Sequence, residues 1–367
     1  MEAPSVRIIS PGFDLLGEIR NYESLQFTRR FYSVGEFELH ININKANTDA
    51  LQNGNLIMLG KDGTRTGIIR HRENEIDENG DSTDTLTIKG PTLKGVCGQR
   101  IIVPATDSDG YDSFSGTQEA VMKHFVNTHC VSPTDTNRII KNLVIAADQG
   151  RGASDQWRFR FDNLADALEQ VGQYARLGWD VTLDLGSSQW IFDVIKGRDL
   201  TAAQDTLPPV IFSTEFSDIK APHFITSWLN AATVGYAGGQ GDETNRLIQS
   251  VGSASGLGRM EMFLDCSDAE NAAELVSKGT QKLEESAPTK TFEFSVIHDR
   301  PFVYGSDYDL GDTVTARSKK WGITMDAQIT ELKEIYETDG NSIEVTFGTS
   351  VPSLRKYINH KTYRAVN

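Results

Sequence analysis

The chain is poor in several features, and each shortage excludes something. Three cysteines, Cys97, Cys130 and Cys266, are odd in number and far apart, so no disulfide framework is expected and the pattern fits folding in a reducing compartment. No apolar run approaches the ~20 residues that span a bilayer as a helix. The opening Met1-Glu2-Ala3-Pro4 has neither a basic n-region nor an apolar h-region, so no leader is expected. Basic residues are in deficit: 36 Lys and Arg against 51 Asp and Glu leave a formal charge of −15. Phosphate is gripped by Lys and Arg displacing counterions, so this balance argues against a general nucleic-acid grip and against an anionic membrane surface. With 367 residues the chain has length for two or three domains. A chain of that size buries about 75% of its unfolded surface and needs no metal or disulfide staple.

What is present is alternation. Apolar residues recur with period two through the first hundred positions, in Val6 to Ile9, Leu16 to Ile19, Leu25 to Tyr32, Phe37 to Ile43, Leu56 to Leu59, Thr66 to Arg70 and Thr85 to Ile88. Pro11-Gly12-Phe13-Asp14, Ser33-Val34-Gly35-Glu36, Lys61-Asp62-Gly63 and Asn79-Gly80-Asp81 separate them as turns. Short strands spaced in this way predict an all-β barrel or sandwich over about 5–108. An α+β unit follows at about 110–206. Ser115-Gly116-Thr117-Gln118 has capping-box spacing before a helix carrying Ala120, Val121, Phe125 and Val126. A second helix starts at Asp162 or Asn163 and stops at Gly178, and Trp179 to Leu185 with Trp190 to Ile195 form a hairpin. Pro208-Pro209 marks the next boundary, and a third helix is expected behind the box Ser267-Asp268-Ala269-Glu270. Period two returns from Thr291 to Gly348.

Part of that return repeats the start. Leu51-Gln52-Asn53-Gly54-Asn55-Leu56-Ile57, then Ile69, Ile76, Gly80, Leu86, Ile88 and Gly90, is matched by Tyr308-Asp309-Leu310-Gly311-Asp312-Thr313-Val314. Ile329, Ile335, Gly340, Val345, Phe347 and Gly348 then follow, about 257–260 positions on. Phe37-Glu38-Leu39 and Phe292-Glu293-Phe294 precede the two copies. Two unrelated meanders sharing turn chemistry would look alike; one barrel used twice is the favoured reading. The fold class expected is therefore α+β and mainly β. Its parts are two related barrels, the second split over about 207–237 and 290–349, the α+β domain, and a small helical insertion at 238–289.

Motifs for chemistry are largely missing. There is no Gly-x-Ser-x-Gly elbow, His-Glu-x-x-His helix or Walker loop. Gly252 to Gly258 is glycine-rich but lies outside a βαβ unit and reads as a loose loop. Five residues along an α-helix turn through about 140°, so His124 and His129 are expected on different faces and, with Cys130, form no metal cluster. Asp77 to Asp84 lacks the glycine and closing glutamate of a calcium loop, and Asp107-Ser108-Asp109-Gly110 fails similarly. Asp299, Asp307, Asp309 and Asp312 offer carboxylates without a nucleophile beside them, and Trp157, Trp179, Trp190, Trp228 and Trp321 are each expected to pack a local core. No catalytic residue, metal or cofactor is expected. Arg29 and Arg30 are neighbours on a strand and point to opposite faces, so one should pair with an acid at a domain or subunit boundary while the other is solvated. Ser350 to Asn367 carries Arg355, Lys356, Lys361 and Arg364 and no acid, either a frayed end or an arm that docks on an acidic neighbour.

The ordered set of segments resembles a known family. Leu25-Gln26-Phe27-Thr28-Arg29-Arg30-Phe31-Tyr32-Ser33-Val34-Gly35-Glu36-Phe37-Glu38-Leu39 looks like the opening signature of siphophage tail hub proteins. These are the N-terminal hub module of tail-associated lysins, related in fold to the baseplate hub of contractile tails. Gly90 to Leu93, Arg100 to Ile102, Asn163 to Leu168, Phe212 to Phe216, Gly256 to Glu261 and Tyr304 to Asp312 extend the likeness over about 5–350. Phe27 departs from the expected tryptophan. Many relatives continue into a peptidoglycan-cleaving or receptor-binding module where this sequence stops at Asn367, so the resemblance carries over the hub role and no lytic activity.

The resemblance implies a virion protein of the tail tip, made in the host bacterial cytoplasm. It implies a ring-like homotrimer whose six barrels adapt a sixfold tube to threefold tip components around the DNA exit channel. The implied partners are other copies, the distal tail protein, the tape-measure protein and tip or receptor-binding proteins. Acids lining the channel would let DNA slide without binding. Arg29, Arg30, Tyr308, Asp309, Arg355 and Lys356 are the expected interface residues. The alternatives are the hub of a contractile injection system or tail-like bacteriocin, and, from another class, a cell-wall hydrolase or a glycan-binding tip adhesin.

Overall fold

The computed structural model describes residues 2–348 except 77–81, 107, 109, 214, 216–218, 230, 242–244, 268, 270, 297–301 and 339. The chain divides into two compact units, Met1–Pro222 with Glu293–Thr346, and His223–Phe292 with Phe347–Asn367.

The larger unit opens on eight strands: β1 (Val6–Ile9), β2 (Leu15–Ile19), β3 (Ser24–Arg30), β4 (Glu36–Asn42), β5 (Leu56–Leu59), β6 (Thr66–Ile68), β7 (His71–Ile76) and β8 (Ser82–Pro91). They belong to two sheets, β2-β1-β5-β6 and a longer one containing β3-β4-β8-β7. Alternation places Phe37, Leu39 and Ile41 of β4 inward, where they meet Val6, Ile8, Ile57 and Leu59 of the other sheet in one core. Each such side chain contributes about 1.5–3 kcal/mol by leaving water. The two sheets touch at the bridge between Gly67 and Thr92. The chain is mainly β, and none of its sheets closes into a barrel among the described residues.

The α+β layer follows as β9 (Asp112–Thr117), α1 (Gln118–Val126), β10 (Leu143–Ile145), β11 (Ser154–Phe159), α2 (Leu164–Ala175), β12 (Gly178–Asp184) and β13 (Gln189–Ile195). The expected hairpin is β12–β13, paired in register from Gly178–Ile195 to Asp184–Gln189. The helix starts differ in detail. Thr117, not Ser115, caps α1 by accepting from the Ala120 N–H, because Ser115 is still paired with Gln156 in the β9–β11 ribbon. Asn163 caps α2, and the helix ends at Arg176 in the left-handed conformation, before Gly178. The β5–β6 turn docks on β12: the Leu183 N–H donates to Gly63 O at 3.1 Å, and a Cβ on Gly63 would lie 2.0 Å from Leu183 O.

Next come β14 (Asp199–Leu200), β15 (Ile211–Ser213) and β16 (Ile219–Ser227). The smaller unit holds β17 (Val234–Gly238), β18 (Ile248–Gly252), β19 (Glu261–Asp265) and α3 (Ala272–Glu284). Its sheet order is β18-β17-β19, and α3 covers one face, with Leu275 of the helix in one core with Ala237, Val251 and Leu264. Asn271 caps α3 through the Glu274 N–H, later than the expected box at 267–270. The chain then runs through β20 (Thr289–Val296), β21 (Thr313–Ser318), β22 (Ile323–Glu337) and β23 (Gly340–Gly348).

The long sheet contains β20-β23-β22-β3-β4-β8-β7 in that order. The triplet β4-β8-β7 is therefore matched by β20-β23-β22, and Phe37-Glu38-Leu39 and Phe292-Glu293-Phe294 stand in corresponding strands. The match extends to single bonds. The Gly54 N–H donates to Ile69 O and the Ile69 N–H to Asn55 O, both at 2.9 Å. The Gly311 N–H donates to Ile329 O and the Ile329 N–H to Asp312 O, both at 2.8 Å. Gly54 and Gly311 both take positive φ, 96° and 92°, a conformation that only glycine adopts without strain. The copies differ where positions 66–76 split into β6 and β7, whereas β22 runs unbroken.

Candidate interface around Arg29 and Arg30

β3 lies between β22 and β4, with Arg30 opposite Glu331 and Arg29 opposite Leu332. Adjacent strand positions face opposite ways, and the two arginines enter two different environments. Arg29 turns inward and is about one-tenth exposed. It donates to the Tyr304 hydroxyl at 3.0 Å and to Asp309 Oδ1 at 3.1 Å. The Tyr304 hydroxyl donates to Glu334 Oε1 at 3.2 Å. Glu334 is fully buried, and its other oxygen accepts from Arg65 and from the Tyr336 hydroxyl. Arg65 also donates to the Tyr336 hydroxyl, at 2.9 Å.

A second layer lies close to this one. Lys94 is buried; its Nζ donates to Arg30 O at 2.8 Å and Phe31 O at 3.2 Å, and lies 4.3 Å from the Trp179 ring centre. Burial pulls its pKa down to about 8 against the opposing pull of Asp180 and Glu169. Burial raises Asp180, which Lys94 and Arg29 hold back. For Arg29, burial works against the charge, and Tyr304, Asp309 and Asp180 outweigh it, so its pKa is raised. Three cations (Arg29, Arg65, Lys94) thus meet three carboxylates (Asp309, Glu334, Asp180) from segments distant in sequence. Such a set holds its strands in one arrangement, because removing any member leaves a charge without its partner.

Arg30 faces outward and pairs with Glu331 at 2.6 Å and Glu36 at 2.8 Å. It belongs to a groove of about 640 Å³ that also includes Glu38, Lys89 and Lys333. Lys89 pairs with Glu38, and Lys333 with Glu344. Both arginines are therefore ion-paired, where one was expected to be solvated: the long sheet puts β22, with Glu331, beside β3.

The remaining expected residues separate. Tyr308 is buried within the chain, edge-on to Phe212 at 5.1 Å. Asp309 is two-fifths exposed and holds Arg29. Arg355, Lys356 and Asp299 lie outside the described residues. Asp312 is bound by Arg198 through Oδ2 at 2.6 Å, and Asp307 accepts from the Val303 N–H at 2.7 Å, so these carboxylates build a turn. Glu334 was missed, although the pattern carried a signal. Leu332, Glu334 and Tyr336 alternate on one face of β22, and a glutamate between two core residues needs a buried partner. Trp157 and Trp179 are core residues as expected, whereas Trp228 and Trp321 are 51% and 43% exposed, since both sit beyond strand ends.

The two histidines do share a partner. His124 Nε2 lies 2.9 Å from Asp112 Oδ1 and His129 Nε2 lies 2.8 Å from Asp112 Oδ2. The expectation of separate faces assumed an α-helix throughout. The helix becomes a π-helix over Asn127–Val131, where i→i+5 bonding brings residues five apart round to one side. Burial raises the Asp112 pKa, but hydrogen bonds from both histidines outweigh it and hold the carboxyl well below its usual range. Among the described residues no group of three His, Cys, Asp or Glu side chains is arranged to hold a metal.

The chain is mainly β, and its strands are tied to one another by ion pairs between segments distant in sequence. It belongs to the Siphovirus ReqiPepy6 Gp37-like protein family, whose model matches residues 5–349. The resemblance to a siphophage tail family read from the sequence is borne out. Solved structures of similar fold are bacterial and prophage tail proteins. The tail protein from Neisseria meningitidis MC58 aligns with a TM-score of 0.60 at 15% identity, covering 95% of this chain and 97% of that one. The prophage MuSo2 43 kDa tail protein from Shewanella oneidensis gives 0.60 at 13%, covering 94% and 98%. Prophage tail protein gp18 from Listeria monocytogenes EGD-e gives 0.55 at 14%, covering 99% and 100%. No curated protein matches the chain.

Proposed function

We propose that this tail-family protein is the structural hub at the distal end of a phage tail, acting as a homotrimer and not as an enzyme. The observation that carries the reading is the repeated bond pair, Gly54–Ile69–Asn55 and Gly311–Ile329–Asp312, inside matched strand triplets of one sheet. A chain that presents the same module twice gives six modules in a closed trimer, which reconciles a sixfold tube with threefold tip components. The two modules lie within about 5–108 and within 207–237 with 290–349, and each is an open meander of the long sheet where a closed barrel was expected. The α+β domain at 110–206, the insertion at 238–289 and the basic arm at 350–367 complete the chain. Its place is the virion tail tip after synthesis in the host cytoplasm. The partners are further copies, the distal tail protein, the tape-measure protein and tip or receptor-binding proteins, and DNA passes through an acid-lined channel without specific binding. Arg30, Asp309, Arg355 and Lys356 remain the interface candidates; Arg29 and Tyr308 act from within the protomer.

The test is native mass with negative-stain class averages. A species near 122 kDa, three times 40.6 kDa, with a central hole supports the hub. A chain that stays monomeric even when mixed with its tube-side partner overturns it.

A further inference from the structure

One surface of the larger unit differs in chemistry from the paired groove around Arg30. The segments 100–103 and 160–163 lie side by side: the Phe161 N–H donates to Ile102 O at 2.7 Å, the Ile102 N–H to Asp162 O at 2.9 Å, and Ile101 bridges Asn163. Residues 138–139 join them, because Arg100 Nε donates to Arg138 O at 2.8 Å and an Arg138 NH2 group to Ile101 O. Ile101, Val103, Ile139 and Phe161 are exposed there, at 45%, 38%, 39% and 54%.

Three arginines rim this apolar centre. The guanidinium groups of Arg100 and Arg138 are held by backbone carbonyls, and that of Arg160 lies over the Phe161 ring at 5.4 Å and the Tyr111 ring at 5.9 Å. Among the described residues none of the three makes an ion pair. The carboxylates nearest in the chain accept from backbone N–H groups instead, Asp135 from that of Asn137 and Asp162 from that of Arg160. Phe161 itself sits at φ 59°, a left-handed conformation that is strained for a bulky side chain. Backbone strain is thus spent on a residue whose ring is left half in water.

Arginine and aromatic residues around an aliphatic centre, without Lys or Glu, are the composition of a protein-binding core. The groove around Arg30 differs in that its charges are already paired within the chain. We infer that the Arg100–Arg138–Arg160–Phe161 surface docks onto a second copy of this chain, which offers carboxylates to the arginines and a pocket to Phe161. The charge balance supports that occupant: with 51 acids against 36 bases, another copy presents the complementary sign. A closed ring of identical chains also needs two different surfaces at each contact, and this is a candidate for one of them. The inference relies on the trimer reading only for the number of copies.

The experiment is sedimentation equilibrium of the full chain up to about 100 µM, comparing wild type with Phe161→Gly and Arg160→Glu. Expected is self-association that each substitution weakens about tenfold or more. Glycine at a positive φ relieves strain, so Phe161→Gly should leave the monomer's melting temperature unchanged or raised, which a merely structural phenylalanine would not. Trimers that form equally well in both variants overturn the surface and leave the hub reading standing. Dimers that depend on Phe161 support the surface and count against the trimer. A wild type monomeric throughout overturns the inference, and so does a chain that instead binds a 30-bp DNA duplex through Arg160.

Discussion

At the scale of single residues, the charges of this protein are placed for holding. Asp112 is shared between His124 and His129 and its pKa is held low, so its ionised form stabilises the fold. A carboxyl with a depressed folded pKa contributes above its unfolded value near 4, and that contribution is lost as pH falls from there. Asp112→Asn should therefore cost about 1–3 kcal/mol at pH 7, with the gap to wild type closing below pH 4, read by urea unfolding at both pH values. The sequence offered both histidines but not their meeting. An α-helical projection separates them, and the π turn over Asn127–Val131 brings them together.

At the scale of elements, β22 ties the C-terminal part of the larger unit to its start. It pairs with β3, and Glu334 reaches Arg65 and, through Tyr304, Arg29. Glu334→Gln leaves Arg65 buried without its counter-charge and should cost about 3–5 kcal/mol, seen as a lower denaturation midpoint. The joint between the first sheet and β12 is steric. Gly63→Ala would drive a methyl group into Leu183 O and should cost about 1–3 kcal/mol, measurable in the same assay. Strands, turns and the β12–β13 hairpin were legible, because alternation and turn chemistry are properties of neighbouring residues. The caps at Thr117 and Asn271 were misplaced by a few residues, because whether Ser115 caps a helix or pairs in a strand depends on β11, far along the chain.

At the scale of the whole molecule, net charge and repetition act together. A chain of charge −15 should not retain a 40-bp DNA duplex in a gel at about 0.15 M salt, whatever its assembly state. Binding there would remove the picture of a channel through which DNA slides.

The sequence by itself determined the mainly β character, the two amphipathic helices of the α+β layer, the tail-family likeness and the internal repeat. All of these are written in local periodicity and in segments kept in order. Only the tertiary structure decided which charges meet. Arg65 and Glu334 are 269 positions apart and Arg30 and Glu331 are 301 apart. Their contact depends on β22 lying beside β3 in one register. The alternation of Leu332, Glu334 and Tyr336 fixes which face of β22 turns inward, but a slip of two residues keeps that face and carries Glu334 away from Arg65, and no local pattern excludes it.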